Sequence, residues 1–142
     1  MTEDGIASFL STGKLLLRLG SKDEHGDPVI HPVWYLYESG KLYIFTGAGS
    51  KKAKNVWRSS HVYFSVDSDG EPYRGVKGKA SAVIMKDSRR AVQIGSDIVR
   101  KYMGADNPFE KNLSKEVNSG ESIVIEISPE YFSTWDYGKA NS

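Results

Sequence analysis

The sequence predicts a mainly β fold, a small closed or split barrel of antiparallel strands with helices inserted at two points. Three observations carry this reading. Short apolar runs of strand length recur along the chain. Between them stand compact turn signals, "DEHGDP", "ESGK" and "DGEP". The longest run, "YRGVKGKASAVIMK" (73–86), contains glycines that suit bends or bulges, which favours a barrel over a parallel sheet.

The elements follow in order. A first helix is expected near residues 3–11, with Ile6, Phe9 and Leu10 on one face. "KLLLRLGS" (14–21) and "VIHPVWYLYE" (29–38) read as strands. The second carries apolar residues on both sides: Ile30, Pro32, Trp34 and Leu36 on one, Val29, Val33, Tyr35 and Tyr37 on the other. Only one side of a barrel strand faces inward, so the other needs a cover, either a partner subunit or a planar ligand. "ESGK" turns this strand into "KLYIFT" (41–46) as a hairpin. "SKKAKNVWRSS" (50–60) suits a short helix capped by Ser50, with Ala53, Val56 and Trp57 spaced as a core-facing stripe. "HVYFSVD" (61–67) returns as a strand. After the long run, Asp87 or Ser88 caps a helix to Gly104 whose inner side carries Ala91, Gly95, Ile98 and Tyr102. "ESIVIEIS" (121–128) is a last clear strand before the aromatic tail "EYFSTWDY", giving six or seven strands in all.

Composition narrows the function. A chain of 142 residues fits one domain. It has no cysteine, which excludes disulfides, thiolate metal sites and cysteine nucleophiles. An acidic start without a long apolar run is unlike a signal peptide, and no run reaches the ~20 residues of a membrane span, so a cytoplasmic location without membrane partners is the expectation. The net charge of +1 offers little bulk attraction to nucleic acid. Between Glu38 and Asp67, however, there is no carboxylate, while Lys41, Lys51, Lys52, Lys54 and Arg58 all fall there. That window favours one local anion site. A barrel groove for single strands would need aromatics exposed beside these lysines, and Trp57 on the expected core face argues against one.

The motif at the centre of the window is "YIFTGAGSKKAKN" (43–55). Lysines at a helix start oppose the helix dipole and cost a few tenths of a kcal/mol each unless an anion joins them. The spacing of Gly47 and Gly49 satisfies neither a Walker loop nor a dinucleotide fingerprint. What remains is a helix start with hydroxyls from Thr46 and Ser50 and charge from Lys51 and Lys52, a set that suits a phosphate monoester. His25, His31 and His61 lack metal-ligand spacing, and there is no Gly-x-Ser-x-Gly elbow, so metal and hydrolase chemistry have little support.

Taken together, "VIHPVWYLYESGKLYIFTGAGSKKAKNVWRSSHVYFSV" (29–66), "GVKGKASAV" (75–83) and "IVIEISPEYFSTW" (123–135) resemble the flavin-binding split barrels related to pyridoxamine 5′-phosphate oxidase. The resemblance implies a single flavin-binding domain over residues 1–142, a six-stranded split barrel that forms a homodimer with FMN at its interface. It implies that His31, Pro32, Val33, Trp34 and Tyr35 run along the flavin ring, mainly through backbone contacts. Thr46, Ser50, Lys51 and Lys52 would hold the phosphate, Tyr73 would approach the ring, and Trp135 would reach the cofactor of the other subunit. Some relatives use the deazaflavin coenzyme instead, and some bind flavin without known turnover. No arginine follows Arg100, whereas oxidases acting on vitamin B6 carry an arginine-containing signature near the C-terminus, and this counts against that substrate. The implied activity is that of an oxidoreductase with a small-molecule substrate and no nucleic acid partner.

Overall fold

A computed structural model describes residues 1–138. Helix α1 (Glu3–Ser11) leads into β1 (Leu17–Lys22), β2 (Pro28–Val33), β3 (Leu36–Glu38) and β4 (Lys41–Gly47). Helix α2 (Lys51–Arg58), β5 (His61–Asp67), β6 (Arg74–Ile84) and α3 (Ser88–Met103) follow. A 3-10 turn at Pro108–Glu110 and α4 (Leu113–Asn118) precede β7 (Ser122–Pro129) and β8 (Ser133–Asp136).

The strands form one sheet in the order β2-β1-β5-β6-β7-β4-β3, with β8 added on β6, and every pairing is antiparallel. Its two edges, β2 and β3, are consecutive in sequence and separated only by Trp34 and Tyr35. Laid flat, seven strands would hold those edges ~29 Å apart. The three Cα steps from Val33 to Leu36 reach at most ~11 Å. The sheet must therefore curl until its edges nearly meet, and this produces a split barrel. Leu17, Leu19, Leu42, Ile44, Val62, Val66, Val76, Ile125 and Ile127 fill its interior and are fully buried. A second cluster lies between α3 and the sheet, built on Ile94, Ile98 and Val124.

The mainly β architecture and its helices agree with the sequence reading, while the eight strands among the described residues exceed the expected count. The expected strand 29–38 is broken at Trp34–Tyr35, because the chain leaves one edge there and joins the other. The expected hairpin is β3–β4, closed by Ser39 and Gly40, both at positive φ as a twisted two-residue turn demands. The aromatic tail contains β8. Within β6, the glycines serve close approach rather than a bulge: a Cβ on Gly75 would lie 2.3 Å from the Trp135 ring, and one on Gly78 2.2 Å from the Tyr131 carbonyl oxygen.

One residue expected to face inward does not. Trp57 is 82% exposed, and its expected place in the core belongs to Asn55, which is fully buried and donates to Ser21 Oγ at 3.1 Å. Ala53 and Val56 are buried as expected. At about 100° per residue, an inner arc centred between Val56 and Lys52 takes in both Asn55 and Ala53 and turns Trp57 outward. With its indole in solvent, Trp57 no longer counts against a nucleic acid groove.

Candidate functional site

The site grows from the exit of β4. Gly47 is the last residue of that strand, and the loop after it folds back, with the Ala48 N–H donating to the Glu121 carbonyl and the Ser50 N–H to that of Gly47. Ser50 then caps α2, its Oγ accepting from the Ala53 N–H at 3.2 Å. A helix start leaves its first N–H groups without a carbonyl one turn back, so the Lys51 and Lys52 amides remain available. Thr46 Oγ1 lies 3.3 Å from Ser50 Oγ, which brings two hydroxyls to the same place. Neither lysine has a carboxylate at ion-pair distance among the described residues. Two hydroxyls, a helix start and two unpaired ammonium groups make a site suited to a phosphate.

His31 belongs to the same neighbourhood. It lies on the half-buried side of β2 with Val29 and Val33. Its Nδ1 is the one buried side-chain polar atom without a hydrogen-bond partner among the described residues. Burial lowers its pKa, and the charges of Lys52 and Lys51 lower it further, so the imidazole is neutral near pH 7. An orphaned ring nitrogen beside unpaired cations is the feature that a bound polar ligand would resolve.

Beside Thr46 and Lys52 opens a cleft of about 320 Å³. Val33 and Trp34 line one side, and Phe45 and Thr46 of β4 line another. Ile98 and Val99 of α3, with Phe109, Leu113 and Glu116, complete it. Its volume and largely apolar walls suit a small planar ring with a polar end. Trp34 stacks on Tyr102 with ring centroids 4.8 Å apart and planes within 3° of parallel. Tyr102 is itself held, donating to the Leu15 carbonyl at 2.6 Å and accepting from the Tyr35 N–H at 3.3 Å. The indole is thus a fixed wall, still 38% exposed.

The other sequence-derived candidates are placed differently. Tyr35 is fully buried; its hydroxyl donates to the Leu10 carbonyl, and its own carbonyl accepts from Lys101 Nζ at 2.9 Å. Its side chain and both backbone polar groups are therefore committed to the core and to α3. Pro32 is on the exposed side of edge strand β2, where a residue without an N–H is tolerated. Tyr73 precedes β6, and Trp135 pairs with Gly75 near the start of that strand. Helix α2 packs at the other end, by Ile84, so the 11 residues of β6 put about 30 Å of strand between these aromatics and the α2 end of the same chain. Phe45 falls inside the motif 43–55 but is not one of the residues that mark it, and Val99, Phe109, Leu113 and Glu116 lie outside every motif read from the sequence. A legible signal for part of this set is Asn107 before Pro108, a helix-start pattern, and the Asn107 side chain does accept from the N–H groups of Phe109 and Glu110. No group of three or more His, Asp or Glu side chains is placed to hold a metal among the described residues. No described helix is long and apolar enough to cross a membrane.

Comparison with known proteins adds to this geometry. No curated protein matches the chain. Among solved structures, the conserved hypothetical protein Rv2991 from Mycobacterium tuberculosis superposes with a TM-score of 0.82 at 23% identity, covering 100% of this chain and 91% of that one. An F420 reductase gives 0.74 at 19% identity over 93% of this chain and 98% of its own. A FAD-binding protein from Mesorhizobium loti gives 0.67 at 17% identity over 94% of each. At these identities the likeness is one of fold. The sequence profile described as Pyridoxamine 5'-phosphate oxidase matches residues 3–136. Since that match runs from the first helix through every strand of the barrel, the chain belongs to the pyridoxamine 5'-phosphate oxidase family.

Proposed function

We propose that the chain is a flavin-binding oxidoreductase, a single flavin-binding domain over residues 1–142 that takes FMN as its basic ligand unit. The observation that carries this reading is the union of a phosphate-suited helix start at Thr46, Ser50 and Lys52 with an apolar cleft walled by Trp34. The residues fit the group: two hydroxyls and two lysines for the phosphate, the orphaned His31 Nδ1 for a polar edge, and a rigid indole for the ring. When bound, a flavin supplies hydride or electron transfer. The chain's own contribution is to neutralise the phosphate, orient the ring against Trp34, and exclude water with Ile98, Phe109 and Leu113. Contacts along the ring come from His31, Val33 and Trp34. A family member whose superposed neighbours include an F420 reductase and a FAD-binding protein is consistent with a flavin-type ligand.

The functional unit in this reading is a homodimer. The outer face of β1, β2, β5 and β6 exposes Ile30 (71%) and Tyr63 (55%), with Tyr131 beside them, around two adjoining grooves. A second copy seated there would cover this surface. It would also supply Tyr73 and Trp135 to the cofactor, which the same chain holds too far from α2 to do.

The deciding experiment is an absorption spectrum of the purified protein before and after addition of FMN, with the deazaflavin coenzyme added separately. Retained flavin absorbance after gel filtration supports FMN; uptake of the deazaflavin alone would transfer the site to that coenzyme on the same phosphate-binding residues. Lys51→Gln with Lys52→Gln is expected to weaken binding about tenfold or more for each charge-assisted hydrogen bond removed, while the fold is retained. Unchanged affinity in that variant would remove the phosphate assignment. Bound flavin that no reductant or acceptor turns over would make the chain a flavin-binding module.

A further inference from the structure

The outward face of α2 carries a feature that the phosphate site does not use. At about 100° per residue, Ser50, Lys54 and Trp57 fall within an arc of about 60°, with Arg58 at its margin. Trp57, 82% exposed, lines with Lys54 and Arg58 a groove of about 390 Å³ whose floor is Ala53 and Ile84. Ala48, in the loop that leads to Ser50, closes the near end. The groove therefore begins beside the phosphate residues and runs along the helix. The rise from Ser50 to Trp57 is about 10 Å, the span of one further phosphoryl group and a pentose.

Its charge is compensated only in part. Lys54 has no carboxylate at ion-pair distance among the described residues. Arg58 is only loosely held, 3.7 Å from Glu24 and 3.5 Å from Asn55 Oδ1. A large indole left in water beside two cations is the combination that stacks a base and receives its phosphate. FMN bound at Ser50 and Lys52 would leave all of it uncovered.

We propose that this face is an adenine-nucleotide subsite, so that the chain takes a flavin dinucleotide. The flavin-side phosphate sits at Thr46, Ser50 and Lys52, the second phosphate lies against Lys54, and the adenine stacks on Trp57 with Arg58 at its edge. The proposal rests on the flavin reading above and extends it. It needs no rearrangement of the core, because every side chain it adds is already on the outer arc of α2.

Parallel equilibrium titrations of the full chain, freed of co-purified flavin, with FMN and with FAD provide the test. The wild type is expected to bind FAD about tenfold more tightly than FMN, the scale of one stacked base. Trp57→Ala is expected to abolish that preference while leaving FMN affinity within about twofold, and Trp57→Phe to retain it. Lys54→Gln is expected to reduce FAD affinity alone. Equal affinity for the two flavins, or a FAD preference that survives Trp57→Ala, would overturn the subsite and leave the FMN reading standing. Failure of both flavins to bind would overturn the two readings together. Tighter binding of an oligodeoxythymidine than of FAD, abolished in Trp57→Ala, would reassign the face to single strands and overturn the subsite.

Discussion

His31 reports on the site through its own titration. Burial and the charges of Lys52 and Lys51 hold its pKa below the ordinary value. A phosphate bound at the lysines brings about −1.5 to −2 charges and cancels that repulsion. The pKa of His31 is therefore expected to rise when FMN or inorganic phosphate binds, and in Lys52→Gln to start higher and move less. Imidazole NMR shifts followed against pH measure this, and a titration indifferent to ligand would separate His31 from the anion site. Lys101 gives a prediction of opposite consequence. Burial brings its ammonium down to about 8, while its contact with the Tyr35 ring, 3.7 Å from the centroid, acts the other way. Below the folded value both states are protonated and the cost of the buried charge is present in full. Between about 8 and the ordinary 10.5 the unfolded chain binds more protons, so stability rises with pH. Thermal melts should show wild type gaining on Lys101→Met across that window. At this scale Thr46, Ser50, Lys51 and Lys52, the residues proposed to hold the phosphate, stand out in the sequence by their types and spacing. Asn55 is not: a buried polar side chain looks like a surface residue until its partner, Ser21, is brought to it from 34 positions away.

Single elements show the same division. Helix α3 and its cap at Asp87 are readable, since Ala91, Gly95, Ile98 and Tyr102 recur at helical spacing and all are buried. The break between β2 and β3 is hidden because Trp34 and Tyr35 continue the apolar pattern; only the pairing of each half with a different neighbour reveals it. The segment 105–118 has no continuous periodicity, and it is held on α3 by the buried Leu113 beside Gly95 and by Glu110, which accepts from Ser96 Oγ and Arg100 Nε. The glycines of β6 stand out in the sequence, but their cause lies in Tyr131 and Trp135, more than 50 residues further along the chain. Because a Cβ at Gly78 would strike the Tyr131 carbonyl, Gly78→Ala is expected to lose about 1–3 kcal/mol through displacement of the β7–β8 connection. Chemical denaturation would measure it, and a neutral variant would show that the connection moves freely.

For the molecule as a whole, the proposed homodimer makes the sharpest claim. Ile30→Glu puts a charge in the middle of the exposed apolar face of β2 and its neighbours without touching the core. It is expected to give a monomer in sedimentation at concentrations where the wild type is a dimer, and flavin affinity should fall with it if Tyr73 and Trp135 arrive from the second copy. A variant that sediments as wild type would place the interface elsewhere. The curled sheet has a further consequence. Its edges do not hydrogen-bond to each other along the seam; there the chain is secured by α3, through Tyr102 to Leu15 and Tyr35 and through Lys101 to Tyr35. The same helix forms a wall of the cleft. Loosening α3 would unlatch the barrel and unroof the pocket in one motion, whereas a ligand pressed against Ile98 and Trp34 would lock both. The amide of Tyr35, which donates to the Tyr102 hydroxyl, should then become a sentinel for occupancy: its hydrogen exchange slows when the pocket fills.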